Sequence, residues 1–518
     1  MAIFICLTVN SLNLIRNFTF FLVLVSGVFL SSCNLNADKK EVVLYNNHCA
    51  SCHIVPEINQ LPKHIWEDEI LPRMAARMGI KNVGFDPLAG MSFPEQEAIL
   101  KSGVYTVGRS ISNDNWKLLH DYIIEMAPDS LPEIAENKAI PIQKFKVRTI
   151  DLDSMPASRI TFLDFDSGSA KLRLGNMSGE LLSYDFTANS TSVMNYFTHP
   201  VIDFHESDSV VITTLIGKLS PSQIPNGSII ETKNSEGLTV ANQLHRPVHS
   251  LVKDLNGDGT EELVVSEFGH LTGQLSLFIK DTNGVYTKTP LLGQPGMLRT
   301  IVKDMNADGK LDLVVLSSQG DEGVWLLFQQ DNLKFSPEKV IRFSPVYGTS
   351  WFELVDYDGD GDQDIITVHG DNADNSYVSK PYHGVRIHLN DGNNVFEEVY
   401  FYPMHGATRV IAKDFDADTD IDIAVVATFP DYEKRPLQSF VYLENNGGDT
   451  PEFTPQTFDE IEHGRWFLMD SGDIDADGDE DIIVSAFTYG FTPTSDEMEA
   501  LWKEKQVDVL VLENQLNR

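Results

Sequence analysis

Five acidic loops in the second half of the chain have residue types and spacing suited to binding a metal ion. The clearest begins at Asp356 and carries carboxylates at its first, third, fifth and ninth positions, with Gly361 at the sixth. Oxygen ligands in that number suit a hard divalent cation, and calcium tolerates an irregular cage better than magnesium does. The residues that follow, 365–368, are strand-like, which argues against an EF-hand. The pattern therefore predicts a calcium loop between two strands.

The same pattern recurs along the chain. In the loop that starts at Asp254, Glu262 replaces the ninth-position aspartate, and in the loop that starts at Asp414, Thr419 replaces the turn glycine. We expect both loops still to bind calcium. The predicted ligands, loop by loop, are Asp254, Asn256, Asp258 and Glu262; Asp304, Asn306, Asp308 and Asp312; Asp356, Asp358, Asp360 and Asp364; Asp414, Asp416, Asp418 and Asp422; and Asp473, Asp475, Asp477 and Asp481.

Two weaker copies of the pattern come earlier, at Asp164 and Asp203. Their ninth positions are Leu172 and Val211, so we expect no calcium in either. The seven starts are separated by 39 to 59 residues, which is enough for one four-stranded unit each. Repeats of that length built from strands indicate a β-propeller or a solenoid.

These acidic repeats resemble the FG-GAP/VCBS repeat family, which includes calcium-loop propellers. The resemblance covers residues 143–518 and implies an all-β propeller. We predict seven blades, because the last repeat supplies only three strands and residues 144–150 can supply the fourth. Pairing the two ends of the chain in one blade closes the ring and hides its edges. A ring of eight blades is the alternative prediction.

A second chemical motif lies nearer the N-terminus, where Cys49, Cys52 and His53 form a C-x-x-C-H run. This run predicts one covalently attached haem c, with two thioether links and the histidine as an iron ligand. The alternatives are a redox-active cysteine pair and a zinc site that includes His48. Zinc usually needs a further pair of ligands, and no cysteine follows Cys52.

Residues 34–131 resemble a small class I cytochrome c, so the predicted fold is multidomain, an all-α cytochrome domain followed by the seven-bladed propeller. Helices are predicted over 41–48, 63–78 and 115–127, the last capped by Asn113 or Asp114. Met74 is the favoured sixth iron ligand because the residues around it resemble haem modules fused to such repeats; Met91 and Met78 are the alternatives. Residues 132–142 are predicted to be a linker.

Residues 1–33 have the composition of a targeting segment. An apolar run ends in Leu-Ser-Ser-Cys33, which resembles the bacterial lipobox and implies a lipidated Cys33 at the mature N-terminus. An ordinary signal peptide or a single membrane anchor is the alternative. We expect a lipid-anchored protein of the cell envelope, at the outer membrane.

The chain of 518 residues has a formal net charge of -37, which makes nucleic acid an unfavourable partner because phosphates would be repelled. No catalytic constellation stands out, since the propeller's aspartates are accounted for as metal ligands. Seven residues, each five positions before a loop start, are predicted to ring the channel mouth opposite the calcium loops: Arg159, Thr198, His249, Arg299, Trp351, Arg409 and Leu468. Their basic members are candidates for an anionic or glycan ligand, or for ion pairs between blades.

The function expected from these features is electron transfer. The haem module would shuttle electrons to a redox partner in the envelope, and the propeller would dock that partner or bind a ligand. Two alternatives stay open: an oxidoreductase whose propeller passes electrons to haem, and an adhesin or glycan-binding propeller.

Overall fold

A computed structural model describes residues 39–81, 84–106, 108–134, 138–153, 155–207, 210–233, 236–448, 450–489 and 492–516. The predicted targeting segment and Cys33 lie outside these residues. Within them, no helix has both the length and the hydrophobicity that crossing a membrane requires.

Helices occupy the region before residue 131. Their bounds are Lys40–Cys49, Phe93–Ser102, Asn113–Met126 and a continuous helical stretch made of Lys63–Ile65, the π-helical turn Trp66–Ile70 and Leu71–Arg77. The last helix begins two residues earlier than predicted, because the Ser112 side chain accepts the Asn115 N–H as its cap. The predicted caps Asn113 and Asp114 were therefore wrong. The helix Phe93–Ser102 was not predicted, although Ser92 and Glu95 form a capping box at its start.

Seven sheets follow, one for each predicted repeat. The first strands of neighbouring blades contact one another, so they line the centre of the ring. In chain order, the strands are Ile160–Asp166, Lys171–Asn176, Glu180–Asp185 and Ser190–Tyr196 in blade 1; Val201–Glu206, Val211–Leu215, Gly227–Lys233 and Glu236–Leu244 in blade 2; Pro247–Lys253, Glu262–Glu267, Gln274–Lys280 and Tyr286–Leu292 in blade 3; Met297–Lys303, Asp312–Ser317, Gly323–Gln329 and Phe335–Arg342 in blade 4; Thr349–Val355, Asp364–His369, Gly384–Asn390 and Phe396–Pro403 in blade 5; Ala407–Lys413, Asp422–Ala427, Phe440–Asn445 and Phe453–Thr457 in blade 6; and Trp466–Gly472, Asp481–Ala486 and Val509–Asn514 in blade 7.

Ring closure follows the prediction. The fourth strand of blade 7 is Phe145–Ile150, which pairs antiparallel with Val509–Asn514 at the other end of the propeller. A further two-residue strand, Ile140–Pro141, adds in parallel to the outer edge of blade 6. Part of the predicted linker is therefore bound into the sheet.

The core of the ring lies between the blades. The second strand of blades 3 to 7 is buried at every position, as in Asp422–Ala427 of blade 6. Runs of valine, isoleucine and leucine suit a strand that is covered on both faces. Residues 49–518 form one compact unit, in which the helices after Cys49 pack with the propeller.

Candidate cation loops and haem segment

All five predicted calcium loops lie between the first and second strands of a blade, so they share one face of the ring. In each loop the sixth-position N–H donates to the Oδ2 atom of the first-position aspartate. The N···O distances are 2.8 Å for Gly259, 2.9 Å for Gly309, 3.1 Å for Gly361, 3.0 Å for Thr419 and 3.1 Å for Gly478. The repeat thus has one loop geometry in five copies.

The ninth-position carboxylate ties each loop to its blade. In blade 5, Asp364 accepts the Tyr357 N–H at 2.8 Å with one oxygen and the Asn390 N–H at 2.8 Å with the other. Burial, together with neighbouring carboxylates, raises the pKa of Asp364 to about 6 and that of Asp481 in blade 7 to about 7. A bound cation would relieve the crowding of negative charge that contributes to these shifts.

The donor atoms of these loops fit a divalent cation. Three carboxylate oxygens lie within 4.8 Å of one another in blades 5, 6 and 7. Asp356 Oδ1 in blade 5 is buried and has no hydrogen-bond partner among the described residues, which leaves an oxygen lone pair for a cation. In blades 3 and 4 the third position is an asparagine, Asn256 or Asn306, whose amide oxygen is a further calcium-type ligand.

In the part of blades 1 and 2 that the structure describes, the aspartates that start the predicted copies lie within strands and not in such a loop. Asp164 lies inside the first strand of blade 1, and Arg173 forms ion pairs with Asp166 at 2.6 Å and Glu206 at 2.8 Å. Asp203 lies inside the first strand of blade 2 and accepts the Ser250 N–H at 2.6 Å. Glu206 and Asp203 therefore make contacts between neighbouring blades, while Asp166 pairs within blade 1.

One group of carboxylates was missed by sequence reasoning. Asp151, Asp153 and Asp508 bring three oxygens within 4.8 Å of one another next to the closing strand. Burial raises the pKa of Asp508 to about 6, while its Oδ2 atom accepts the Leu152 N–H at 2.9 Å. No local spacing signals this group, because ring closure alone brings Asp508 to the other two.

The C-x-x-C-H run starts at the C-terminal end of the helix Lys40–Cys49. Burial raises the pKa of the Cys49 thiol to about 11, so without a bound metal or cofactor the thiol is protonated at neutral pH. Cys52 is exposed. His53 Nδ1 lies 2.7 Å from the Ile54 carbonyl oxygen. With Nδ1–H donating to that oxygen, Nε2 is the ring nitrogen available as a ligand.

The three candidate methionines for the sixth ligand are all half-buried: Met74 in the helix Leu71–Arg77, Met78 directly after it, and Met91 before the helix Phe93–Ser102. Met74 follows the π-helical turn Trp66–Ile70, and such turns are frequent at functional sites. The buried Trp66 anchors this turn by donating Nε1–H to the Ile58 carbonyl at 2.9 Å.

The helical region contacts the propeller on the face opposite the acidic loops. Tyr382, between the second and third strands of blade 5, donates its hydroxyl to the Gln60 carbonyl at 2.6 Å. Ser222 in the equivalent loop of blade 2 donates to Glu95 Oε1 at 3.1 Å. Arg435 in that of blade 6 donates to the Ile134 carbonyl at 2.7 Å. Blades 2 and 5 thus hold the region that carries the C-x-x-C-H run, and blade 6 holds the segment that follows it.

A cavity of about 490 Å³ lies between this region and blades 4 and 5. Its walls include the segment directly after His53 and aromatic side chains of the propeller. The lining residues are Ile54, Val55, Glu57, Gln60, Val340, Ile341, Arg342, Phe343, Ser344, Tyr347, His388, Phe396 and Glu398. The cavity places small-molecule-sized space next to the candidate haem attachment site.

Two of the basic residues predicted at the channel mouth stack on one tryptophan. The guanidinium carbons of Arg299 and Arg409 lie 4.2 and 4.3 Å from the centre of the Trp351 ring. Arg299 also forms an ion pair with Glu353 of blade 5 at 2.6 Å. Its charge is therefore paired across blades, which was the alternative to ligand binding.

Sequence reasoning also missed a group of buried histidines near that face. His369 lies 2.9 Å from the hydroxyls of Thr349 and Thr367 through its two ring nitrogens. The His383 and His405 rings stack with centres 5.1 Å apart. The sequence signal for this group is a histidine at the end of a strand that is completely buried, as His369 is in Asp364–His369.

Comparisons with known proteins support the repeat. Residues 304–367 match the FG-GAP-like repeat family, and this match includes the acidic loops that start at Asp304 and Asp356. The chain carries an FG-GAP-like repeat within a seven-bladed β-propeller. No curated protein matches the chain. One similar solved structure is that of an ancestral GH74 enzyme, at 8% identity and a TM-score of 0.46, covering 66% of this chain and 45% of that one. The chain spans less than half the length of that protein.

Proposed function

We propose that this protein is a c-type electron carrier whose propeller holds the haem-bearing region and docks a redox partner. Cys49 and Cys52 would hold the porphyrin, and His53 would be the proximal iron ligand. The observation that carries the proposal is the contact of His53 Nδ1 with the Ile54 carbonyl at 2.7 Å. This contact fixes the ring in the tautomer that an iron-ligating histidine needs. When bound, the haem supplies one-electron redox chemistry.

The test is production of the full chain in a host that matures c-type cytochromes. One haem per chain should survive denaturation and extraction, because thioether bonds are covalent. The variant with both Cys49→Ala and Cys52→Ala should lose this retained haem, and the control Ser51→Ala should keep it. A colourless wild-type protein carrying zinc instead of iron would contradict the proposal.

The acidic loops would bind calcium as structural cations. Calcium that binds the folded ring but not the unfolded chain stabilises the ring by mass action. Blades 3, 4, 5 and 7 carry this part of the proposal. A chelator should lower the melting temperature, and added calcium should restore it. Magnesium at the same concentration should restore it less, because it demands a regular octahedral cage.

A lipid anchor at Cys33 would hold the protein at the envelope, where its redox partner would be found. Mass spectrometry of membrane-bound protein would show diacylglycerol at Cys33. An unmodified, soluble chain cleaved at another residue would contradict the anchor.

The cavity of about 490 Å³ favours a second candidate, an oxidoreductase that passes electrons from a bound small molecule to the haem. Its lining combines the rings of Phe343, Tyr347 and Phe396 with the polar groups of Glu57 and His388. A hydroxylated ring compound matches this chemistry, since aromatic walls stack on a ring and acceptors bind its hydroxyls. Haem reduction that depends on such a compound, and that Phe343→Ala weakens, would support this candidate over a pure carrier.

A further inference from the structure

The loop of blade 6 differs from the loops of blades 3, 4 and 5, among the described residues, in having a lysine ammonium against one of its predicted ligands. Lys144 Nζ contacts Asp416 Oδ2, and it lies 2.5 Å from Glu444 Oε1 at the end of the blade's third strand. Only 7% of the Asp416 side chain and 25% of the Glu444 side chain are exposed. The ammonium is therefore held in a partly buried group of carboxylates, where an ion pair is screened less than at the surface.

The main chain fixes Lys144 in this place. The residue stands between the strand Ile140–Pro141, paired with blade 6, and the strand Phe145–Ile150, paired with blade 7. Its carbonyl accepts the Gln515 N–H at 2.9 Å. Because both neighbouring segments are bound into sheets, no further backbone entropy is lost when the side chain pairs with Asp416.

Among the described residues, the loops of blades 3, 4 and 5 lack an ion pair between lysine and a predicted ligand. In blade 3, Asn256 Oδ1 accepts the Asp258 N–H at 2.9 Å, within its own loop. In blade 5, Asp358 Oδ1 accepts the Asp360 N–H at 3.3 Å, again within its own loop. Across the described residues, no predicted ligand of blades 3, 4 or 5 is in an ion pair with lysine or arginine. Among blades 3 to 6, an ion pair between lysine and a predicted ligand is thus a feature of blade 6, while the loop backbone is common to all five loops.

We propose that Lys144 is the built-in cation of the blade 6 loop, which closes without calcium, so that four loops bind calcium and not five. This inference rests on the proposed calcium sites of blades 3, 4, 5 and 7. The ammonium occupies Asp416 Oδ2 but not the buried Oδ1 atom, which has no hydrogen-bond partner among the described residues. Its positive charge repels a second cation at close range. Thr419, at the position where the other loops have glycine, does not by itself block the site, because its N–H makes the same bond to Asp414 at 3.0 Å.

The fixed charge lies next to the segment that closes the ring. Lys144 directly precedes the closing strand, and the helical region precedes Lys144. Calcium loss would weaken blades 3, 4, 5 and 7 while the joint between blades 6 and 7 keeps its ion pair.

Calcium equivalents bound by the full chain test this inference. After chelation, dialysis against calcium and metal analysis, the wild type should hold four equivalents per chain. Lys144→Met should hold five, and the matched control Lys146→Met, whose side chain is 65% exposed and pairs with Glu513, should hold four. Five equivalents in the wild type, or four in Lys144→Met, would overturn the inference and leave the calcium proposal standing. No bound calcium in the wild type would overturn both.

A second pair of variants covers the case in which Lys144→Met does not fold. Asp416→Asn should leave the wild-type count at four, because that loop holds no calcium. Asp358→Asn, at the same position of blade 5, should lower the count to three. A count of three in Asp416→Asn would show that blade 6 binds calcium and would overturn the inference.

Discussion

The ring of Phe145 packs edge-on against the ring of Tyr442, with 5.2 Å between their centres. Phe145 begins the strand that closes blade 7, and Tyr442 lies in the third strand of blade 6. Phe415, at the start of the blade 6 acidic loop, completes the cluster at 6.1 Å from Phe145. An aromatic contact therefore joins the N-terminal end of the propeller to its last two blades.

Phe145→Ala should lower the free energy of unfolding by about 3–5 kcal/mol, the usual cost of removing a buried phenylalanine from a core. Phe145 is 6% exposed, so the cavity left behind would open at the joint between blades 6 and 7. Urea unfolding of the haem-free chain measures the change. Lys146→Ala, on the exposed side of the same strand, should change stability by less than about 0.5 kcal/mol. Equal effects of the two variants would mean that ring closure does not limit stability.

Thr419→Gly should stabilise the ring by about 1 kcal/mol. Thr419 has a φ of 81°, a conformation that costs a β-branched residue about 1–3 kcal/mol, and glycine recovers this at an entropic cost of about 0.5–1 kcal/mol. Thermal unfolding in chelator isolates this effect from metal binding.

The reverse change, Gly361→Thr in blade 5, is the matched control for Thr419→Gly. Gly361 has a φ of 98°, and a Cβ added there would meet no atom within 4 Å. Backbone strain alone should therefore destabilise the variant by about 1–2 kcal/mol. No change in either variant would show that these loops adopt a different backbone in solution.

The ring was predictable because its signals are local and repeated. Each acidic loop fixes where a second strand begins, as Asp364 does for Asp364–His369, and the shortage of strands after Val509–Asn514 indicated the role of residues 144–150. The seating of the helical region was not predictable. It depends on single contacts such as that of Tyr382 with Gln60, between loop residues with no periodic pattern. The contact of Lys144 with Asp416 was not predictable from the sequence either, because only ring closure brings the two residues together.

Met74→Ala should lower the reduction potential of the proposed haem, because a thioether ligand raises it. Potentiometric titration of the haem-loaded chain gives the value. Met78→Ala and Met91→Ala are the controls, since both residues are half-buried like Met74. Should the drop occur in Met91→Ala or Met78→Ala instead, that residue and not Met74 would be the sixth ligand.

The unfolding free energy of the ring should fall as the pH drops below about 6.5, and His405 is one cause. Burial, with the nearby charges of Lys380 and Arg435, lowers the pKa of His405 to about 3. Its Nδ1 accepts the Lys380 N–H at 3.1 Å, a bond that protonation would break. Between pH 6.5 and 3 the unfolded chain therefore binds the proton and the folded chain does not. Stability should be complete above pH 6.5 and decrease by at most about 1.4 kcal/mol per pH unit for this one group.

His405→Asn separates this effect from the other buried histidines, whose pKa values are also lowered, as at His383 and His388. The asparagine oxygen can take the place of Nδ1 as acceptor but does not titrate in this range. Urea unfolding between pH 7 and pH 4 should give a shallower loss of stability in His405→Asn than in the wild type. His64→Asn, at an exposed histidine of the helical region, should leave the slope unchanged. An identical slope in His405→Asn and the wild type would mean that His405 is protonated without unfolding, and that its bond to the Lys380 N–H does not control the acid stability of the ring.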